Sequence, residues 1–360
     1  RCIVMKYKYV HILFRNELKF NARIVDLINS KENGFNLKDH VFVTPYQESY
    51  EILKKYPNVI YDNQSKNLLN TYANKCDWII AHSFDNIWTI IGASNYALKK
   101  TMYRYWGGGI EGCSEKPGNI TNPLRKLFNR YYQSKISKLA CIGIANVVDE
   151  ILIRKFFPDI PIYIMSYSTN GIYESIVAAA NATYNNTSTL NVLLGHRGSS
   201  EENHIGILKL LSKYENENMK IFIPLSYGDE AYINRVKKYV KDNHLKQVVI
   251  IDEFMEYADY CKFLNQMDVA IFDGNSSYAL GNISLLLFYK KKIFLNESGV
   301  LREAFDHESV PSGTISEIGK MSFEDFAAKV LMEPGVEENL TAHDLDFSLN
   351  KWRMVFRAFS

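Results

Sequence analysis

Val192-Leu-Leu-Gly195-His196-Arg197-Gly198-Ser199-Ser200-Glu-Glu-Asn203-His204 reads as a strand, a glycine-rich loop and the start of a helix. The same succession continues downstream. A strand over Asn191 to Leu194 and a helix over Glu202 to Tyr214 lead to strand Lys220 to Pro224, helix Glu230 to Asn243 and strand Val248 to Ile251. A helix around Tyr257 to Gln266, strand Val269 to Phe272, helix Ala279 to Tyr289 and strand Lys292 to Leu295 complete the series. Short β-rich runs alternating with helical patterns predict a parallel sheet covered by helices on both faces.

The first half carries the same alternation. Strands are expected at Tyr9 to Phe14, Val41 to Thr44, Val59 to Tyr61, Trp78 to Ala81, Cys141 to Ala145 and Ile162 to Met165. Helices are expected at Asn21 to Asn29, near Ser65 to Asn74, at Asn86 to Leu98 and around Val148 to Phe156. The polar run Asn181-Ala-Thr-Tyr-Asn-Asn-Thr-Ser-Thr separates the halves. The expected division is therefore a first domain over 1–170, a linker over 171–190 and a second domain over 191–345. A terminal helix over 346–360 is expected to pack back on the first domain.

The composition is that of a globular protein, and 360 residues suffice for two cores. With 42 basic and 40 acidic residues, the balance argues against a nucleic-acid binder with a basic field. No run reaches the roughly 18 apolar residues of a membrane span. Five cysteines scattered singly suit a reducing compartment, so the protein is expected in the cytoplasm. One segment departs from the even charge. Pro123 to Leu139 reads as an amphipathic helix in which Arg125, Lys126, Arg130, Lys135 and Lys138 interleave with Leu124, Leu127, Phe128, Tyr131, Tyr132 and Ile136. Such a helix packs its apolar side on the core, holds the protein at the inner face of an anionic membrane, or does both with a few aromatics exposed.

In open parallel sheets ligands bind beyond the carboxyl ends of the strands, which is where the notable loops fall. Gly195 and Gly198 let backbone approach a ligand, Ser199 and Ser200 offer hydroxyls and amides, and Arg197, with His196 beside it, can neutralise a diphosphate. An ordinary capped turn is the alternative. A second loop, Asp273-Gly-Asn275-Ser276-Ser277-Tyr-Ala-Leu-Gly281, also opens a helix. Two such loops can hold two phosphates through amides and helix dipoles without a metal. Close helix packing explains Gly281 equally well. Tyr227 can stack on a base or cover a sugar, and Glu253 can accept from sugar hydroxyls. Asp344-Leu-Asp346 has the spacing of a metal motif, but acidic capping of the helix that follows is the preferred reading.

On the first domain, His82-Ser-Phe-Asp85 and Trp106-Gly107-Gly108-Gly109-Ile-Glu111 follow strands. His82, Asp85 and Glu111 are the candidate general bases, and Trp106 to Gly109 the candidate acceptor-side loop.

Taken in order, these motifs resemble glycosyltransferase family 56, bacterial transferases that move 4-acetamido-4,6-dideoxygalactose from its dTDP donor to lipid II of enterobacterial common antigen. His82-Ser-Phe-Asp-Asn resembles the family's His-Gly-x-Phe-Asn, and Tyr105-Trp-Gly-Gly-Gly-Ile its Trp-Gly-Ala-Asp-Leu. The Val192 to Leu208 segment is similar to its Gly-Asn-Ser-Gly-Asp loop and Asn-Glu-His helix start. Ile223 to Gly228 with Glu230-Ala-Tyr-Ile233 is similar to its Pro-Met-Gly-Tyr and Glu-Ala-Tyr-Ile run. Gly281-Asn-Ile-Ser-Leu matches Gly-Ile-Gly-Thr-Leu, and Phe347-Ser-Leu-Asn350 its terminal Phe-Ser-Pro-Asn. Gly109 stands where the family has Asp, so that residue's role does not carry over.

The resemblance implies a GT-B glycosyltransferase of the hexosyltransferase class, with two Rossmann-like doubly wound domains facing across a cleft. It implies a dTDP- or UDP-linked sugar as donor, a lipid-linked saccharide as acceptor, and no cofactor or metal. Two other readings are an epimerase or polyol-phosphate transferase of the same build, and a non-catalytic partner of a transferase.

Overall fold

The computed structural model describes residues 7–84, 86–106, 123–167, 170–182, 188–275, 279–330 and 345–359. Its contacts divide the chain into two units, residues 1–169 with 344–360, and residues 170–343. In the first unit the order is β1 (Tyr7–Leu13), α1 (Leu18–Asn29), β2 (His40–Thr44), α2 (Gln47–Leu53), β3 (Val59–Tyr61), α3 (Leu68–Ala73) and β4 (Cys76–His82). Then come α4 (Ile87–Ile91), α5 (Asn95–Lys99), β5 (Thr101–Arg104), α6 (Pro123–Ile136), β6 (Cys141–Ile144), α7 (Val147–Arg154) and β7 (Ile162–Ile164). The strands form one parallel sheet in the order β3-β2-β1-β4-β5-β6-β7, wound outward in both directions from β1. The expected helix over Asn86 to Leu98 is instead two short helices. Ser94 caps the second by accepting from the Ala97 amide, which restarts the helix rather than continuing it.

Alternation along β1 separates two cores. Val10 and Ile12 face one, with Ile79, Ala81 and Ile142, while Tyr9 and Leu13 face the other, with Ile24, Ile28 and Phe42. The last helix of the chain, α16 (Leu345–Ala358, numbered here in chain order after those of the second unit), lies on the second of these cores. Leu349, Trp352, Val355 and Phe356 recur at helical spacing and are buried there. The Trp352 indole donates to the Ser166 carbonyl at 2.9 Å, and the Tyr9 hydroxyl to the Phe356 carbonyl at 2.9 Å.

The second unit begins with α8 (Asn170–Ala180), inside the segment read from sequence as a linker. Ile176 and Ala179 are buried, and Asn265 donates to the Ala179 carbonyl at 2.8 Å. The apolar spacing of residues 172–180 outweighs the polar run after it. Next come β8 (Leu190–Leu194), α9 (His204–Leu211), β9 (Met219–Pro224), α10 (Glu230–Asp242), β10 (Val248–Ile251), α11 (Tyr257–Asn265) and β11 (Val269–Phe272). After these follow α12 (Leu280–Phe288), β12 (Lys292–Leu295), α13 (Val300–His307), β13 (Gly313–Thr314), α14 (Ile315–Ile318) and α15 (Phe323–Ala327). Its parallel sheet runs β10-β9-β8-β11-β12-β13, so strand order reverses between β8 and β11. Among the described residues no helix is long and apolar enough to cross a membrane.

Candidate active site

Because β8, β9, β10 and β11 run parallel, the loops that follow them emerge at one sheet edge, with the switch point at its middle. Gly195 leaves β8 with φ +67°, and a Cβ there would lie 2.6 Å from His204 Nε2 and 2.9 Å from a Glu202 carboxylate oxygen. Both backbone and space demand glycine. Gly198 pairs with Gly228 as an isolated parallel bridge: the Gly198 amide donates to the Tyr227 carbonyl at 2.8 Å, and the Asp229 amide to the Gly198 carbonyl at 2.7 Å. The β8 and β9 loops are thereby zipped together.

Beneath them lies a polar cluster that the sequence reading did not single out. Glu202 is buried, and its carboxylate meets His196 Nδ1 at 2.5 Å. Nδ1 is within ion-pair distance of the carboxylate but makes no well-aligned hydrogen bond to it. The expected helix from Glu202 starts two residues later. Asn203 is left-handed at φ 47°, a conformation Asn tolerates, and its amide donates to Asp273 at 2.8 Å. Asn296 donates to the other Asp273 oxygen at 2.7 Å, so one carboxylate ties together the loops after β8, β11 and β12. His204 is fully buried and shares the Tyr232 hydroxyl at 3.1 Å; burial holds its imidazole down to about 4 and neutral.

The remaining predicted donor residues that the structure describes follow strands of this sheet. Arg197 is partly exposed, with Glu201 at 3.7 Å. Burial raises the Tyr227 phenol, and the charge of Arg197 opposes that shift, which places the two side chains within electrostatic reach. Ser199 accepts from the Glu201 amide and caps the short turn at Ser200. Glu253 and Asn275 are exposed. Gly281 lies in the first turn of α12, where a Cβ would meet nothing within 4 Å, so helix packing does not explain it. Ala279, left-handed at φ 60°, supplies no side-chain cap to that helix. Ser276 and Ser277 lie outside the described residues.

In the first unit His82 ends β4 and is fully buried. Its Nε2 meets His11 Nδ1 at 3.0 Å, its Nδ1 meets the Tyr167 hydroxyl at 2.5 Å, and His11 Nε2 meets His40 Nδ1 at 3.0 Å. The Trp106 indole, a donor only, reaches the Tyr167 oxygen at 3.2 Å. Tyr167 thus bridges the indole and His82 Nδ1, and the donor order along the His82–His11–His40 chain follows the histidine tautomers. Burial lowers His82 to about 3 and His40 to about 4, and holds His11 well down, with its two neighbours adding to the effect. This arrangement leaves neither nitrogen of His82 open to an acceptor hydroxyl, contrary to the base role read from sequence. Parallel register aligns His11, His40 and His82 on one sheet face, and sequence spacing contains no trace of that. Asp85, Gly107, Gly108, Gly109 and Glu111 lie outside the described residues. So does Asp344, while Asp346 stands in the first turn of α16. Among the described residues no group of three or more acidic, His or Cys side chains is placed to hold a metal.

Two doubly wound parallel sheets, with glycine and polar loops gathered at a strand-end switch point, have the build of the GT-B fold. Residues 60–317 match the family described as 4-alpha-L-fucosyltransferase, glycosyl transferase group 56, and the chain belongs to that family. The fold is similar to a glycosyltransferase from Rickettsia africae, at 15% identity and a TM-score of 0.65 with 98% of each chain covered. It is also similar to HepE from Anabaena, solved in complex with UDP, at 10% identity and a TM-score of 0.60, covering 98% of this chain and 100% of that one. Sucrose-phosphate synthase from Thermosynechococcus elongatus matches at 10% identity and a TM-score of 0.57, covering 98% and 96%.

Proposed function

We propose that this glycosyltransferase moves an amino-deoxyhexose from a dTDP- or UDP-linked donor to a lipid-linked saccharide at the inner face of the cytoplasmic membrane, without a metal. The observation that carries the donor half is the α12 N-terminus. It has no side-chain cap from Ala279 and has open space over Gly281, and its sheet edge also presents Arg197 and His196. Helix N-terminal amides and a cation together suit a diphosphate, the group on which charge develops as the sugar leaves. The complex of HepE with UDP supports a nucleotide of this kind. The sugar and the acceptor rest on the motif resemblance, and the family's description as a fucosyltransferase supports a deoxyhexose. If the anomeric centre inverts, the acceptor hydroxyl needs a base, and Asp85 and Glu111 are the carboxylates the motifs supply.

A thermal-shift series with dTDP, UDP, GDP and CMP tests the donor half. One nucleoside diphosphate is expected to raise the melting temperature, and Arg197→Ala to weaken its binding about tenfold or more. A response undiminished in that variant removes Arg197 from the phosphate site, and silence toward every nucleotide removes the donor site. Product analysis then separates transfer from epimerisation: free epimerised sugar nucleotide with no acceptor-linked product contradicts the reading.

Glu202 follows as a positioning residue, since its buried carboxylate lies against His196 Nδ1 and holds the imidazole at the loop that carries Arg197. Glu202→Gln keeps an acceptor for Nδ1 but removes the charge. Turnover is expected to fall about tenfold with little change in donor KM. Unaltered kcat in steady-state assays would leave Glu202 a purely structural role.

A further inference from the structure

Large apolar side chains left in solvent gather on one face of the first unit. Trp88 on α4 is 65% exposed, Tyr96 on α5 54%, and Leu127 and Tyr131 on α6 66% and 49%. Helix α6 touches both α4 and α5, and the Trp88 ring meets Phe128 edge-on at 5.8 Å. Leu127 and Tyr131 are one turn apart, and Ser134 continues their face. Tyr132 and Ile136, on the other side of α6, are buried, and so is Lys135 between the two faces, so α6 meets its core without the exposed pair. The sequence left open whether this helix packs on the core or on a membrane; its two faces do different things.

Charge segregates here as well. Residues 86–106 and 126–140 hold Lys99, Lys100, Arg104, Lys126, Arg130, Lys135 and Lys138 and not one Asp or Glu, in a chain with 42 basic and 40 acidic residues in all. Arg104 and Lys135 are buried, and Lys100 binds the Ala73 and Cys76 carbonyls, which leaves Lys99, Lys126, Arg130 and Lys138 for the surface.

We propose that the α4–α5–α6 face docks on an anionic phospholipid bilayer, with Trp88, Leu127 and Tyr131 entering the interface and the four cations on the headgroups. Amphipathic rings settle at the water–lipid boundary, Leu adds burial, and each Lys or Arg gains from the negative surface potential. A protein partner fits less well, because Lys is depleted at protein interfaces and three of the four cations are Lys. The proposal rests on the lipid-linked acceptor reading and supplies the surface that brings the enzyme to it.

The test is co-sedimentation of the full chain with vesicles of phosphatidylcholine alone and with roughly one-third phosphatidylglycerol. Binding is expected only to the anionic vesicles. It should drop at least about tenfold in Trp88→Ala/Leu127→Ala, and again in Lys126→Glu/Arg130→Glu/Lys138→Glu. Both variants alter exposed side chains, so unchanged melting temperatures certify their folds. Wild-type chain left in the supernatant with anionic vesicles overturns the proposal, even if an acidic protein is found to occupy the face. Equal binding by the variants also overturns it. Transfer to an acceptor dispersed in detergent separates the two readings: docking variants should retain it, whereas a wild-type chain that binds vesicles but transfers nothing faults the function and not the surface.

Discussion

Gly228→Ala is expected to abolish donor-dependent transfer, with turnover down at least about a hundredfold. Gly228 has φ +133°, which L-residues rarely adopt, and an added Cβ would lie 2.2 Å from the Gly198 carbonyl oxygen and 2.8 Å from its Cα. The obstacle is backbone, not a side chain that can swing away. Relief requires the β8 and β9 loops to part, which breaks the hydrogen bonds linking Gly198 with Tyr227 and Asp229 and displaces His196, Arg197 and Tyr227 together. The distortion should also cost about 2–4 kcal/mol of stability in the second unit. Gly281→Ala is the stability control, since a Cβ there meets nothing. Its melting temperature should equal or slightly exceed that of the wild type, because Ala is the better helix former. Normal turnover by Gly228→Ala would mean that the zipped loops do not shape the donor site.

The second large effect is loss of stability in mild acid. His82, His40 and His204 are lowered to about 3, 4 and 4, and His11 well below its ordinary value, all chiefly by burial. These groups stay neutral in the native protein, whereas in the unfolded chain they take up protons below about 6.5. Their contribution is therefore complete above that pH and declines as pH falls toward the native values. From pH 7 to pH 5 each such histidine should remove about 2 kcal/mol. Three of the four belong to the first unit, so its unfolding should move most. Calorimetry across this range should show a proton uptake of about three to four per molecule on unfolding near pH 5. Uptake near zero would mean that the buried histidines are already protonated in the native protein.

Much of the donor edge was legible as sequence. Short β-rich runs and helical spacing marked β8 to β12 closely, and glycine with hydroxyl and basic residues just past a strand is a local pattern that needs no tertiary knowledge. Glu202 escaped because its acidic run looks like ordinary helix capping; only the fold turns the carboxylate inward to His196. His82 misled for the opposite reason. At a strand end it looks accessible, yet β1 and β2 bring His11 and His40 alongside it, and α16 covers that face with Trp352 and Phe356.

What the sequence alone determined was the alternation of strands and helices, the two-unit α/β build and the family, because these follow from local periodicity and short motifs. The tertiary structure decided which sheet face α16 covers, that α8 belongs to the second unit, and that Gly198 must meet Gly228. It also decided which side of α6 reaches solvent. Each of these depends on contacts between residues distant in the chain, and parallel register and packing set such contacts without leaving a local signature.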